Sequence, residues 1–189
     1  MFDTHDAILE DAATRLLAAV TDRRAPMHTP VVATADADAR VMVLRGFDRW
    51  TLRFHTDSRA PKVGVIEHDP RVGVLFYDKP AKVQIRVRGT ARIERDGELA
   101  QAAWEESANF ARRCYLGDGP GTVSDTPSSG LPAAFEGAEP DDAQLLPARE
   151  NFAVLLVTLH TLDWFSLAHD GHRRAQFDLR SGESRWVTP

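Results

Sequence analysis

Two short stretches concentrate side chains that bind anions. Arg40-Val41-Met42-Val43-Leu44-Arg45 sets a guanidinium at either end of an apolar strand. Phe54-His55-Thr56-Asp57-Ser58-Arg59-Ala60-Pro61-Lys62 offers a hydroxyl, a guanidinium and an ammonium just ahead of a helical pattern. A phosphate monoester carries about two negative charges. It is held by bidentate guanidinium, lysine, hydroxyl and free backbone N–H groups at a helix start. Arg40, Thr56, Arg59 and Lys62 supply that set, although arginines at strand ends also serve as ordinary surface charges. Gln84 alternates with Val83 and Ile85 and carries both a donor and an acceptor, which suits the edge of a heteroaromatic ring. Its plain alternative is an outward-facing strand residue.

Other chemistries lack their signatures. There is no Gly-x-Ser-x-Gly elbow, no His-Glu-x-x-His and no phosphate loop ending in Gly-Lys-Ser/Thr, so hydrolase and nucleotide-triphosphatase readings fall. Gly117-Asp118-Gly119-Pro120-Gly121 follows a helical pattern, not a strand, and reads as a flexible loop. His169 and His172 flank Asp170 in what reads as a hairpin turn, so no metal site is expected. Cys114, the single cysteine, has no internal disulfide partner and reads as a half-buried small hydrophobe. No residue stands out as a general acid or base, which leaves the catalytic residues unassigned.

The elements that must position these groups follow from periodicity. Ile8, Ala12, Leu16 and Val20, with Leu9, Ala13 and Leu17 beside them, form the apolar stripe of a first helix with Thr4 as its N-cap. The period then falls to two over Val31–Ala33, Val41–Leu44 and Trp50–Phe54, which predicts consecutive antiparallel strands. A short helix is expected within 57–68, capped by Asp57 or Ser58 with Pro61 in its first turn. Strands resume at Arg71–Tyr77 and Ala81–Glu94, the latter with one apolar face and one basic face. Residues 96–114 read as helical, with Leu99, Ala103 and Phe110 on one side. A Gly/Pro-rich loop follows, and Phe152–Leu159, Leu162–Ala168, Arg173–Leu179 and Arg185–Val187 close the chain as four more strands. The expected fold is mainly β with helices, a closed antiparallel barrel in a single domain over residues 1–189.

The 189 residues carry a net charge of −5, which argues against nucleic-acid binding. That average hides an asymmetry: residues 36–95 hold thirteen Lys and Arg against eight acids, while 115–150 hold one Arg against seven acids. The basic stretch is the one expected to handle an anion. The longest apolar run, Phe152–Leu159, is far short of the ~20 residues of a spanning helix, and the acidic opening is unlike a signal peptide. A soluble cytoplasmic protein with no membrane partner is expected.

Taken in order, these blocks resemble the pyridoxamine 5′-phosphate oxidase-like FMN-binding split barrels. The resemblance rests on Arg40–Arg45, Phe54–Lys62 with its short helix, Val83-Gln84-Ile85-Arg86-Val87-Arg88-Gly89, and Leu162-Asp163-Trp164-Phe165-Ser166-Leu167 with Asp170-Gly171-His172-Arg173-Arg174. It implies a homodimer of split barrels with FMN in the groove between copies, and hydride transfer between flavin N5 and an unidentified small-molecule substrate. Carried over, Arg40 and Lys62 resemble phosphate ligands with Thr56 and Arg59 assisting, and Met42 and Val43 line the same cofactor strand. Arg45 stands where the family has a lysine, and His55 where it has a tyrosine. Gln84 resembles the flavin-ring glutamine, Trp164 the tryptophan that the partner subunit lays on the cofactor, and Ser128 or Ser129 a polar partner contact. The oxidases carry Arg-x-His-x-Arg after that tryptophan. Here the segment reads Arg173-Arg174-Ala175-Gln176-Phe177, without the histidine, leaving Arg173 for substrate and Gln176 for cofactor. Two alternatives are a non-catalytic binder of flavin, haem or deazaflavin, and a pyridoxamine 5′-phosphate oxidase with an altered substrate motif.

Overall fold

The computed structural model describes residues 2–169 and 171–189, so Met1 and Asp170, the centre of the expected His169–His172 turn, lie outside the described residues. The chain forms α1 (His5–Thr21), β1 (Val31–Ala33), β2 (Ala39–Val41), β3 (Leu44–Asp48), β4 (Thr51–Asp57), α2 (Pro61–His68), β5 (Arg71–Asp78) and β6 (Val83–Glu94). It continues with α3 (Glu98–Glu105), α4 (Asn109–Arg112), α5 (Asp142–Leu145), β7 (Phe152–Ser166), β8 (Arg173–Asp178) and β9 (Ser184–Trp186), with 3-10 turns at Arg113–Leu116, Ala133–Phe135 and Leu146–Asn151. It divides into two compact units: Met1–Phe54, Asp69–Ala91 and Leu156–Pro189 in the first, His55–His68 and Arg92–Leu155 in the second.

In the first unit the sheet order is β2-β1-β5-β6-β7-β4-β3, with β8 on β7 and β9 on β8. The ladders β1–β2, β1–β5, β3–β4, β5–β6, β7–β8 and β8–β9 are antiparallel. Their period-two pattern buries Val83, Ile85 and Val87 and leaves Arg86 and Arg88 exposed. Apolar side chains on one face leave water at roughly 25 cal/mol per Å2, which fixes the register, since a one-residue slip would bury the arginines. α1 packs Ile8, Ala12, Leu16 and Ala19 into the core, with Thr4 accepting from the Ala7 N–H at 3.2 Å. Ala19 thus takes the place expected for Val20, and Leu17 is exposed.

Three expectations change. The sheet runs between free edges β2 and β3, and no ladder among the described residues joins them as a closed barrel would require. Two single bonds, Met42 N–H to Pro30 O at 3.0 Å and Leu44 N–H to His28 O at 2.9 Å, extend the β1–β2 pairing only that far. The expected Val41–Leu44 strand is split at Met42-Val43, and the two strands expected over 152–168 are one, β7.

The second unit is built on an aromatic cluster. Phe152 meets Trp104, Tyr115 and His55 edge-on at ring separations of 5.4, 5.2 and 5.0 Å. The expected 96–114 helix is interrupted after Glu105, and Phe110 lies exposed. Cys114, expected half-buried, is exposed because its 3-10 turn faces it outward, with Sγ 3.1 Å from Ala111 O. The Gly/Pro-rich stretch is pinned at several points. Arg113 donates to the Phe135 carbonyl at 2.9 Å and lies 3.8 Å over the Phe110 ring. Asp118 N–H bonds Gly130 O at 2.9 Å, and Asp141 with Gln144 forms a capping box on α5. Gly117 is required there, since a Cβ would sit 2.6 Å from Gly130 O.

Candidate functional site

The expected ligands divide between the units: His55, Thr56, Arg59 and Lys62, with Ser128 and Ser129, lie in the second, the others in the first. In the second unit β4 ends at Asp57, which turns the chain into α2. Its carboxylate is 8% exposed and accepts from the Arg59 backbone N–H at 2.8 Å, Arg59 Nε at 3.0 Å and Arg59 Nη2 at 2.7 Å. Arg59 Nη1 donates to Gly117 O at 3.0 Å, so this guanidinium clamps the Gly/Pro-rich loop to the α2 start. Thr56 is buried, with its hydroxyl 3.3 Å from the Asp57 carbonyl. His55 belongs to the aromatic cluster, and half-buried Lys62 occupies the first turn of α2.

In the first unit Arg40, on β2, donates to Thr34 Oγ1 at 2.9 Å and pairs with Asp38. Met42 is buried, Val43 half-buried, and the Arg45 carbonyl accepts from Arg53 at 3.1 Å. Gln84 faces outward opposite Tyr77. Trp164 does not face a surface ligand. It is 0% exposed, its Nε1 donates to Asp11 at 3.0 Å, and Phe2 meets its ring edge-on at 5.0 Å. Trp164 is therefore part of the core, and its neighbour Phe165 takes the outward-alternating position. Arg173 also faces away, toward Asp3 at 3.4 Å.

What sequence reasoning missed lies on the outward face of the same sheet. Cross-strand register aligns Val41, Val31, Leu75 and Arg86 in one row, and Asp163, Gln176 and Arg185 in another. Arg86 bonds Asp163 at 2.8 Å and so joins the two. Apart from Val41, these side chains line a cleft of about 1040 Å3, with Val31, Ala33 and Leu75 on one side and Arg86, Arg88, Thr161, Asp163, Arg174, Gln176 and Arg185 on the other, and with Asp178 and Glu183 also in its lining. Asp163 is its organising carboxylate. It accepts from Arg86, from Arg174 Nε and Nη2 at 3.0 and 2.7 Å, and from Gln176 Nε2 at 2.9 Å. Burial by itself would raise the Asp163 carboxyl, but the Arg174 and Gln176 bonds and the Arg86 charge hold it below the ordinary carboxylate value. Arg185 grips the Gln176 Oε1 through Nε and Nη2 at 3.1 and 2.8 Å, which fixes the amide's direction. Strand alternation settles the face of β8: Arg174, Gln176 and Asp178 point outward, while Ala175 and Phe177 are buried. The signal that could have found Arg86 and Arg88 was the basic face of β6; Asp163 and Arg185 gave none.

Comparison with known proteins places these observations. Residues 1–124 match the family model described as pyridoxamine 5′-phosphate oxidase. A pyridoxine/pyridoxamine 5′-phosphate oxidase of Kineococcus radiotolerans is 41% identical over 87 residues, covering 44% of this chain and 36% of that one. The same enzyme of Rubrobacter xylanophilus is 41% identical over 97 residues, covering 48% and 42%. The chain thus spans well under half the length of these curated relatives. A pyridoxamine 5′-phosphate oxidase-related, FMN-binding protein of Nostoc punctiforme superposes with a TM-score of 0.74 at 25% identity, covering 95% of this chain and 96% of its own. PhzG of Burkholderia lata shares the fold, with a TM-score of 0.69 at 17% identity over 97% and 91% of the two chains. Among the described residues no helix is long and apolar enough to cross a membrane.

Proposed function

The chain belongs to the pyridoxamine 5′-phosphate oxidase family, and from that premise we propose that it is an FMN-dependent oxidoreductase acting as a pair of identical split-barrel subunits on a small molecule. The single observation that carries this reading is the family match over 1–124, which spans both anion-binding blocks. Similarity over 95% of the chain to an FMN-binding protein supports the choice of flavin. The donor chemistry is a partial fit to the cofactor. Arg40, Thr56 and Lys62 would hold the phosphate and Gln84 the ring edge, whereas Arg59 is engaged by Asp57 and Gly117 and Trp164 is enclosed.

Bound flavin supplies a hydride acceptor and donor at N5. The chain's own task is then to position it and to set the charge around it. Arg40 gives Nη1 to Thr34 and pairs through Nη2 with Asp38, which orients it, and to grip a phosphate it would have to share or release the Asp38 pair. Arg45 offers a positive charge of the kind that stabilises an anionic ring edge. Oxidation of pyridoxamine 5′-phosphate is disfavoured, because the outward face of β8 reads Arg174-x-Gln176-x-Asp178 where the oxidases present a histidine.

The test is an absorbance spectrum of freshly purified protein, then FMN titration of the stripped form by fluorescence quenching. Flavin bands or stoichiometric quenching are expected. Arg40→Ala should weaken FMN by at least tenfold, since one charge-assisted bond is worth about 1.5–3 kcal/mol. A colourless wild-type protein that ignores FMN would remove the reading, and unchanged FMN retention in Arg40→Ala would remove the phosphate assignment.

A further inference from the structure

We infer that the cleft between β5, β6, β7 and β9 is a substrate subsite for a small planar carboxylate, with Arg88 as its anion-binding residue. The inference rests on the flavoenzyme reading above and names the substrate class for it.

The argument begins with charge left over. Four guanidiniums line the cleft against the carboxylates of Asp163, Asp178 and Glu183; Asp163 is shared between Arg86 and Arg174, and exposed Glu183 offsets one further charge, so the lining stays net positive. Asp178 is taken by Arg180, by the Arg180 backbone N–H at 2.9 Å and by the Ser181 N–H at 3.2 Å. Arg185 is satisfied by a neutral amide oxygen, so its charge is not cancelled by a carboxylate. Arg88 is exposed and makes no hydrogen bond or ion pair with any described residue. The side chain therefore offers a complete guanidinium fork to a ligand.

Its surroundings select the ligand. On β6, Arg88 lies between Arg86, which bonds across to Asp163, and Thr90, whose hydroxyl lies 3.3 Å from His160 Nε2. It therefore stands against the 160–163 stretch of β7, where Thr161 lines the cleft with it. One fork and one hydroxyl match the two oxygens of a carboxylate, whereas a phosphate dianion calls for more donors than this corner holds. On its other flank Arg88 pairs across the ladder with Gly73, which pairs in turn with Ala33. Beside those small residues stand Val31 and Leu75, a low apolar wall that a flat ring can lie against. Rigidity comes from the Asp163 network, which holds Arg86, Arg174 and Gln176 in place and keeps them from competing for the carboxylate.

The probes are 2-naphthoate, 2-naphthamide and 2-naphthyl phosphate, titrated calorimetrically into the protein with and without FMN. Wild type should bind 2-naphthoate and not the amide, and Arg88→Ala should weaken the carboxylate at least tenfold, with Arg88→Lys recovering part of that. Because Arg88 is exposed and unbonded, both variants should keep the wild-type unfolding midpoint, which is measured alongside. Equal affinity of wild type and Arg88→Ala for 2-naphthoate, or failure of wild type to bind it, overturns the subsite. Tighter binding of the phosphate overturns the choice of carboxylate. A protein that takes FMN but ignores 2-naphthoate loses only this inference, while one that binds 2-naphthoate through Arg88 but not FMN loses the flavoenzyme reading.

Discussion

The start of α2 and the outward cleft of the sheet both gather arginine beside aspartate, yet they use it in opposite ways. At the start of α2, Asp57 and Arg59 close on each other, and the guanidinium's remaining reach goes to Gly117 O. In the cleft, one carboxylate organises two guanidiniums and an amide, and Arg88 and Arg185 keep their charge. The first arrangement is a fastener and the second a surface with positive charge in reserve. An arginine's role is thus set by what its neighbours have already claimed, which residue type and spacing do not reveal.

The comparison breaks if the cleft is not a fixed scaffold. Gly89 on β6 packs directly against β7, and a Cβ there would fall 2.0 Å from the Thr158 carbonyl oxygen. Backbone cannot yield as a flexible side chain does, so Gly89→Ala should lose about 3 kcal/mol of stability, read from urea unfolding. A loss below about 1 kcal/mol would mean that β6 and β7 shift freely and that the cleft's spacing is not built in. Asp57→Ala comes next. It strips Arg59 of three hydrogen bonds and should cost about 2 kcal/mol, with faster amide exchange at Asp118. If Arg59 is a fastener, Arg59→Ala should lower stability while changing FMN affinity by less than about threefold, because no charge-assisted bond to the phosphate is lost.

How much of this was legible in the sequence depends on range. Periodicity placed α1, β1, β5, β6 and β8 within a residue or two, because each signal lies inside one element. β7 was read as two strands because His160-Thr161 looks like a polar interruption, and Thr161 is polar because it faces the cleft. The Arg40–Arg45 strand broke because Met42 and Leu44 send their N–H groups back to Pro30 and His28, which local propensity does not encode. Anion-binding residues were recognised as types, but the choice between Arg173 and Arg174 turns on strand parity, fixed only by the Phe165–Arg174 register. Asp163 was invisible as an organiser, since Arg86 reaches it from 77 residues away in the chain. Trp164 misled because a tryptophan suited to a ring stack is equally suited to a core.

Asp163 sharpens the comparison at a smaller scale. Asp163→Asn keeps the shape but removes the charge that Arg86 and Arg174 share, and should cost about 1 kcal/mol near neutral pH. The folded carboxyl titrates below 3.8, so its stabilisation is fully present above that value and is lost as pH falls through the lowered folded value. The difference in unfolding midpoint between wild type and Asp163→Asn should therefore hold from neutral pH to about 4 and shrink below it. A difference that vanished between pH 5 and 7 would show that another group sets the network's charge.

Asp178 carries the smallest expected effect and marks where the cleft's electrostatics end. It lies on the turn from β8 to β9, where the Arg180 guanidinium and the backbone N–H groups of Arg180 and Ser181 lower its carboxyl from 3.8 to about 2. All of those donors lie within three residues of it, so the turn satisfies this carboxylate without drawing on Asp163, Arg174 or Arg88. In a carboxyl-carbon NMR titration Asp178 should show a midpoint near 2 in the wild type, and an unchanged midpoint in Asp163→Asn. Asp178→Asn, conversely, should leave 2-naphthoate affinity unchanged within about twofold, since an exposed charge already paired in its own turn contributes little beyond it. A rise in Asp178's midpoint when Asp163 is neutralised would tie the two carboxylates into one network. The cleft's reserve of positive charge would then have to include Arg180, and Arg88 would no longer be its principal holder.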